Sequence, residues 1–294
     1  MRGSRDSSRP VVGLALGGGA ALGWAHLGVF RAIREAGIEP GVISGTSMGA
    51  VIGALIAAGR FDHAYGEIMK ADLPRVVGLL APGLPGNGLV DGSRVHRLLR
   101  AWFGLSDIED LDISFCAVAT DLTTGNEVLM HSGSVVSALR ASISIPGVFA
   151  PWSRDGVWLV DGGLVDPVPC GPARYLGAEF VIGVDLNRSL PRPVRHHGSS
   201  RRLKHGRLQS VAAAGDEEER GGDPEPSLLS VLVNSLLIGH SVLSTLRSAV
   251  DPPDLLISPD LSSFAGTEFH RAPDLEAAGY EAAKPALALL AGKL

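Results

Sequence analysis

Between Val11 and Val184 short apolar runs alternate with Gly-rich turns and apolar stretches at helical spacing. Val11 to Leu16 is the first run, short and uniformly apolar, as a strand buried on both faces must be. Glycines at 17, 18 and 19 then turn the chain into a helix predicted from about Trp24 to Ala36, which Gly37 caps. The unit repeats as a strand from Gly41 to Ser44, a sharp turn at Gly45 to Ser47, and a helix from Met48 to Ala58. No charge lies on any face of that second helix, which predicts burial among other elements. Gly53 in its interior costs ~1 kcal/mol relative to Ala and points to a close backbone approach. Ser114 to Thr120 and Glu127 to Met130 read as strands around Thr124-Gly125-Asn126, with Asp121 and Gly125 shaping the turn. Val157 to Val160 and Phe180 to Val184 are further strands, and a helix around Gly171 to Leu176 precedes the last. Strands alternating with helices predict an α/β fold: a mostly parallel central sheet with helices on both faces.

Outside these units the pattern changes. Residues 1–10 are polar and read as a flexible tail ahead of a single domain spanning 11–294. Arg2, Arg5 and Arg9 before an apolar stretch to Ala25 also fit a secretory signal. Five glycines in that stretch, at 13, 17, 18, 19 and 23, stand where leucines would be expected. From 188 to 226 seven basic residues between Arg188 and Arg207 give way to the acidic run Asp216 to Glu219. So charged a stretch cannot offset its ordering entropy by burial, and it reads as a disordered insertion. Either it is a solvated linker or its basic half meets lipid headgroups. Ser227 to Leu246 then carries no charge over 20 residues, long enough to span a membrane. Its polar residues Ser227, Ser230, Asn234, Ser241 and Thr245 fall on one side at helical spacing, which predicts an amphipathic helix. Core packing and contact with a membrane surface both remain open for it.

Composition narrows the class. Of 294 residues 45% are hydrophobic and 19% charged, enough apolar surface for a sizeable core and too much for a disordered chain. A net charge of −5 argues against a nucleic-acid partner. Two cysteines, Cys116 and Cys170, form no CxxC pair and no multi-disulfide scaffold, which fits a reducing compartment and a cytoplasmic location. Cys116, inside a strand, reads as a small core residue.

The sharpest chemical signal is Gly45-Thr46-Ser47-Met48-Gly49, a G-x-S-x-G between a strand and a helix. Such a turn forces the Ser into strained dihedrals and pushes its hydroxyl out over the sheet edge. Gly45 and Gly49 remove side chains that would collide there. Gly17, Gly18 and Gly19 follow the first strand, and their amides could converge on the oxygen of a tetrahedral acyl intermediate. The same loop also reads as a dinucleotide-binding turn, with Gly23 and, about 20 residues on, Glu39. A Ser nucleophile needs a base. Ser47, Asp161 and either His240 or His270 would make a triad in α/β-hydrolase order, although only one strand precedes the turn. The alternative is Asp161 itself, at the end of an apolar strand and followed by Gly162 and Gly163, which leave room for substrate. A Ser–Asp pair works only if burial makes the carboxylate a better base. His26 reads as a packing or hydrogen-bonding residue and Asp166 as a turn former. Arg140 and the loop from Ser142 to Gly147 either line an acyl pocket or pin the structure.

Taken in order, Leu16 to Gly23, Ala25 to Val29, Gly45 to Gly49, Ala119 to Gly125, Ala138 to Gly147 and Asp161 to Gly163 resemble the bacterial members of the patatin-like phospholipase family. The resemblance spans roughly 11–185 and resumes weakly at Phe269 to Ala272. It implies the patatin-like three-layer sandwich and a lipid acyl hydrolase that needs no metal or cofactor. Ser47 would be the nucleophile, Asp161 the proton acceptor, and Gly17 to Gly19 the oxyanion loop. The substrate would be a lipid or other acyl ester, with peripheral membrane contact an option. Leu22 stands where many members carry a basic residue and Ala20 where glycine is common, which lowers the expectation for charged phospholipids. A fold kept as a scaffold without useful catalysis is the other reading.

Overall fold

The computed structural model describes residues 10–70, 78, 88–90, 92–188, 226–288 and 290. The expected tail over 1–10 and insertion over 188–226 lie outside these residues but for their boundary positions. One mixed, mostly parallel sheet of eight strands organises the domain. The strands are β1 (Val12–Leu16), β2 (Val42–Thr46), β3 (Ser114–Asp121), β4 (Glu127–Met130), β5 (Trp152–Arg154), β6 (Val157–Asp161), β7 (Phe180–Val184) and β8 (Leu255–Ile257). They run in the order β5-β6-β3-β2-β1-β7-β8, with β4 also paired to β3. From β3 to β8 every neighbour is parallel, whereas β4, β5 and β6 join antiparallel at the other side. β1 lies between β2 and β7 and is buried throughout, so Val11 to Leu16 is a central strand and the secretory-signal alternative fails.

Alternation along β1 and β7 assigns the two faces of the sheet. Ala15 and Val181 pack with Val168, Cys170 and Ala173 under helix α6 (Cys170–Tyr175). Leu14, Leu16, Ile182 and Val184 face the larger core. That core holds α1 (Ala25–Glu35), α2 (Met48–Ala57), α3 (Phe61–Ile68), α4 (Gly92–Phe103) and α5 (Val135–Ser142). Two long helices also lie among the described residues, α7 (Leu228–Val250) and α8 (Ala272–Ala288). Helices on both faces therefore make the expected three layers.

Boundaries shift slightly from the sequence reading. Ala20–Trp24 is a 3-10 turn, so the first helix starts at Ala25. β2 runs on through Thr46, so the whole turn falls on Ser47.

α1 crosses α8 at close range because glycines face each other there. A methyl on Gly28 would overlap the Glu276 carbonyl oxygen, and one on Gly279 the Ala25 carbonyl. Arg31 closes the crossing with a 2.7 Å ion pair to Glu276 and a position over the Tyr280 ring. Gly28→Ala should cost about 1–3 kcal/mol by forcing these helices apart. Urea unfolding measures it, and an unchanged midpoint would contradict the crossing.

Candidate active site

Strand register brings the two ends of the site level. β2 ends with Thr46 opposite Val118 of β3, and β6 ends with Asp161 opposite Ala119 on the other side of β3. The chain leaves β2 through Ser47, whose φ of 53° and ψ of −122° lie in a region L residues rarely adopt. Such a backbone stores ~1–3 kcal/mol and persists only where surroundings hold it. Here the Ser47 N–H donates to Ser142 Oγ at 2.8 Å, and that hydroxyl donates on to Val118 O at 2.6 Å. Gly49 lies against the Leu16 and Gly17 carbonyls, where any side chain would overlap them, and Gly45 abuts the Ala50 backbone.

Ser47 Oγ donates to Asp161 Oδ2 at 2.6 Å, across 114 positions of chain. Ser47 is 3% exposed and Asp161 is fully buried. The second carboxylate oxygen accepts from Gly163 N at 2.8 Å. Burial pushes the Asp161 carboxyl up to about 6, against the pull of the Ser47 and Gly163 hydrogen bonds. Gly162 lies against Val118 O and Gly163 against the His240 ring. These two glycines therefore make room for the protein's own groups, where the sequence reading gave that space to substrate.

The glycine loop departs further from expectation. Gly17 N–H donates to Val184 O at 3.0 Å and Gly18 N–H to Pro167 O at 2.9 Å, so neither amide is available to an oxyanion. The Gly19 amide has no hydrogen-bond partner among the described residues. Ala20 follows with φ of 47°, which explains why glycine suits that position. The loop is held by three groups. His26 Nε2–H donates to Gly17 O at 2.7 Å, Asn187 Nδ2–H donates to Gly18 O at 2.7 Å, and Asn187 N–H donates to Asp185 Oδ1 at 2.9 Å. Burial pulls the His26 imidazole down to about 4 despite its bond to Gly17, so it stays neutral.

Of the two triad candidates, His270 is exposed in a 3-10 turn and has no part in the site. His240, on α7, is 1% exposed and packs against Gly18 and Gly163, yet neither ring nitrogen has a hydrogen-bond partner among the described residues. Ser47 is bonded to Asp161, and no histidine stands between them. The dinucleotide reading fails on topology. Glu39 precedes β2 and is exposed at the opposite end of the parallel strands from the glycine loop.

Other roles resolve plainly. Ser142 pins the turn, Arg140 donates to Ser144 Oγ at 2.7 Å as a structural residue, and Asp121 caps its turn through Thr123 and Thr124. Asp166 anchors α7 by a 3.7 Å ion pair with Arg247, and burial raises its carboxyl despite that cation. Asp185 and Asn187 went unremarked in the sequence, although polar residues just past the end of a parallel strand are a usable signal. Ser142→Ala removes the partner of a buried N–H at a strained residue, a loss of about 1–3 kcal/mol. Thermal unfolding should show it as a lower midpoint, accompanied by slower ester turnover.

The patatin-like phospholipase family model matches residues 14–174. The chain belongs to the patatin-like phospholipase family. An uncharacterized NTE family protein of Mycobacterium bovis is 34% identical, over 96% of this chain and 93% of its own length. A lysophospholipase of Coccidioides immitis is 30% identical over 93% of this chain, which spans only 17% of that protein. The crystal structure of VipD from Legionella pneumophila shares the fold, with a TM-score of 0.51 and 14% identity over 96% of this chain and 67% of VipD. Family membership places this patatin-like chain among lipid acyl hydrolases in general.

Proposed function

We propose that the chain hydrolyses carboxylic esters of lipids through an acyl-serine intermediate, with Ser47 as nucleophile and Asp161 as proton acceptor. The 2.6 Å hydrogen bond between these buried groups, at a strained strand-to-helix turn, carries the reading. Ser47 Oγ attacks the ester carbonyl and its proton passes to Asp161, whose raised carboxyl makes a stronger base than an exposed aspartate. The negative charge on the carbonyl oxygen faces the Gly19 amide and the positive N-terminal end of α2. Collapse breaks the C–O ester bond, and Asp161 returns the proton to the departing alkoxide. Water then attacks the acyl-serine with Asp161 again as base, the acyl–Oγ bond breaks, and Asp161 returns the proton to Ser47 as the fatty acid leaves.

A lipid surface as the source of substrate fits the outer side of α7. Val233, Leu237, His240 and Ser244 line its buried stripe, while Val231, Ile238, Val242 and Leu246 stand exposed on the other. The helix that covers the site thus presents an apolar face outward, as peripheral membrane contact requires. Leu22 is fully buried, so that position brings no cation to the loop, and neutral or lysolipid esters fit better than highly charged ones.

The test is fatty-acid release by the folded protein from phospholipid, lysophospholipid and acylglycerol in mixed micelles. Release from at least one class, absent with Ser47→Ala, is expected. No release from any of them would favour the scaffold reading.

A further inference from the structure

Resting on the Ser47–Asp161 reading, the proposed site gains a side-chain donor besides its main-chain amides. An oxyanion hole gains most of its effect from two or more fixed donors aimed at the developing charge. In the glycine loop the Gly17 and Gly18 amides are already bonded to Val184 and Pro167, whereas the Gly19 and Ala20 amides have no hydrogen-bond partner among the described residues.

A polar group of the right kind stands beside the loop. A methyl built on Gly18 would lie 3.3 Å from Ser47 Cβ, and 3.2 and 3.4 Å from the Cε1 and Nδ1 atoms of His240. The missing Gly18 side chain therefore leaves a space bounded by the proposed nucleophile on one side and an imidazole nitrogen on the other. The ring is seated between the Gly18 and Gly163 backbones, with Nδ1 toward Gly18 and Nε2 toward Gly163. Both nitrogens are buried and lack hydrogen-bond partners among the described residues. Leaving such a group unpaired destabilises the resting site, and a bond made only with bound ester offsets that cost at the moment of reaction.

The helix carrying the ring is fixed to the same loop. One turn beyond His240, Ser244 Oγ–H donates to Asp185 Oδ2 at 2.6 Å. Asp185 Oδ1 accepts from Asn187 N–H, and Asn187 in turn holds Gly18 O. Ser244, Asp185, Asn187 and Gly18 thus form a hydrogen-bonded chain from α7 to the glycine loop.

We propose that His240 is a catalytic residue of the hydrolase, its neutral Nδ1–H donating a hydrogen bond to the oxyanion of the tetrahedral intermediate alongside the Gly19 and Ala20 amides. As the Ser47 Oγ–C bond forms, the carbonyl π pair moves onto oxygen and the hydroxyl proton goes to Asp161. His240 keeps its own proton throughout. When the oxyanion collapses, the C–O ester bond breaks, Asp161 protonates the leaving alkoxide, and the His240 hydrogen bond is released. Burial holds this imidazole down at about 4, so it is neutral and retains one N–H under ordinary assay conditions.

Asparagine and glutamine separate this role from packing, because the Asn amide nitrogen falls near the Nδ1 position and the Gln amide nitrogen near Nε2. His240→Leu should lower kcat about a hundredfold with KM little changed, the usual cost of one lost oxyanion donor. His240→Asn should stay within about tenfold of wild type, and His240→Gln should fall with the leucine variant. A long-chain trifluoromethyl ketone, whose hemiketal on serine carries the same oxyanion, should bind the Leu variant about a hundredfold more weakly. Equal loss in the Asn and Gln variants, or a rise in KM at unchanged kcat, would overturn the proposal. If the leucine variant does not fold, the Asn–Gln contrast and the ketone affinities of those two variants decide alone. Turnover that survives Ser47→Ala refutes the Ser–Asp reading, whereas a Ser47-dependent rate indifferent to His240 refutes only this proposal.

Discussion

Ser47→Ala is expected to lower ester turnover by about a thousandfold or more, the scale on which removal of an attacking group acts. The fold should survive the change. Alanine inherits the backbone of a residue held through its N–H by Ser142 and through its carbonyl by Ala50 and Val51, and none of these bonds uses the hydroxyl. What disappears is the one group placed 2.6 Å from the Asp161 carboxylate. Initial rates on a short-chain ester, with circular dichroism as the fold control, measure both halves. A variant that hydrolyses like wild type would mean that the strained turn serves some other purpose.

Asp161→Asn should be nearly as severe, about 10³-fold or more in kcat, because an amide can still accept from Gly163 but cannot take up a proton. The pH profile of the wild type supplies the sign. Asp161 accepts the Ser47 proton only when ionised, and burial lifts its carboxyl from 3.8 to about 6. The rate should therefore rise with pH through about 6 and level off above it. An ordinary solvent-exposed aspartate would place that inflection near ~4. In the asparagine variant the residual rate should lose this inflection. A wild-type profile flat from pH 5 to 8, to within about twofold, would contradict the assigned base.

Much of this arrangement was readable from residue patterns, for definite reasons. β1 and β7 are central strands and so appear as unbroken apolar runs such as Val12 to Leu16. The turn at Ser47 shows itself through flanking glycines, each abutting backbone. Asp161 was legible because a carboxylate at the end of an apolar strand has few structural reasons to be there. Other parts left weaker traces. β5 and β8 have three residues each, too few for any period to register. α8 is rich in alanine on its buried and exposed sides, so it shows little contrast between faces. α7 shows another kind of ambiguity, since its serines mark a polar side while apolar residues occupy both the buried and the exposed stripes.

Which donors face an oxyanion could not be read at all. Gly17, Gly18 and Gly19 are equivalent as letters, and only the paths of β7 and of the segment through Pro167 determine that two of their amides are occupied. His240 was visible as a histidine in an uncharged stretch, and its seat between Gly18 and Gly163 follows from how α7 packs across loops far away in sequence.

The most direct test of the central claim is covalent trapping with an alkyl fluorophosphonate, read by intact-mass and peptide mass spectrometry. One adduct per chain on Ser47 is expected, absent from Ser47→Ala and formed far more slowly in Asp161→Asn. Labelling at another residue, or equal labelling of wild type and Ser47→Ala, would contradict a serine activated by the buried aspartate.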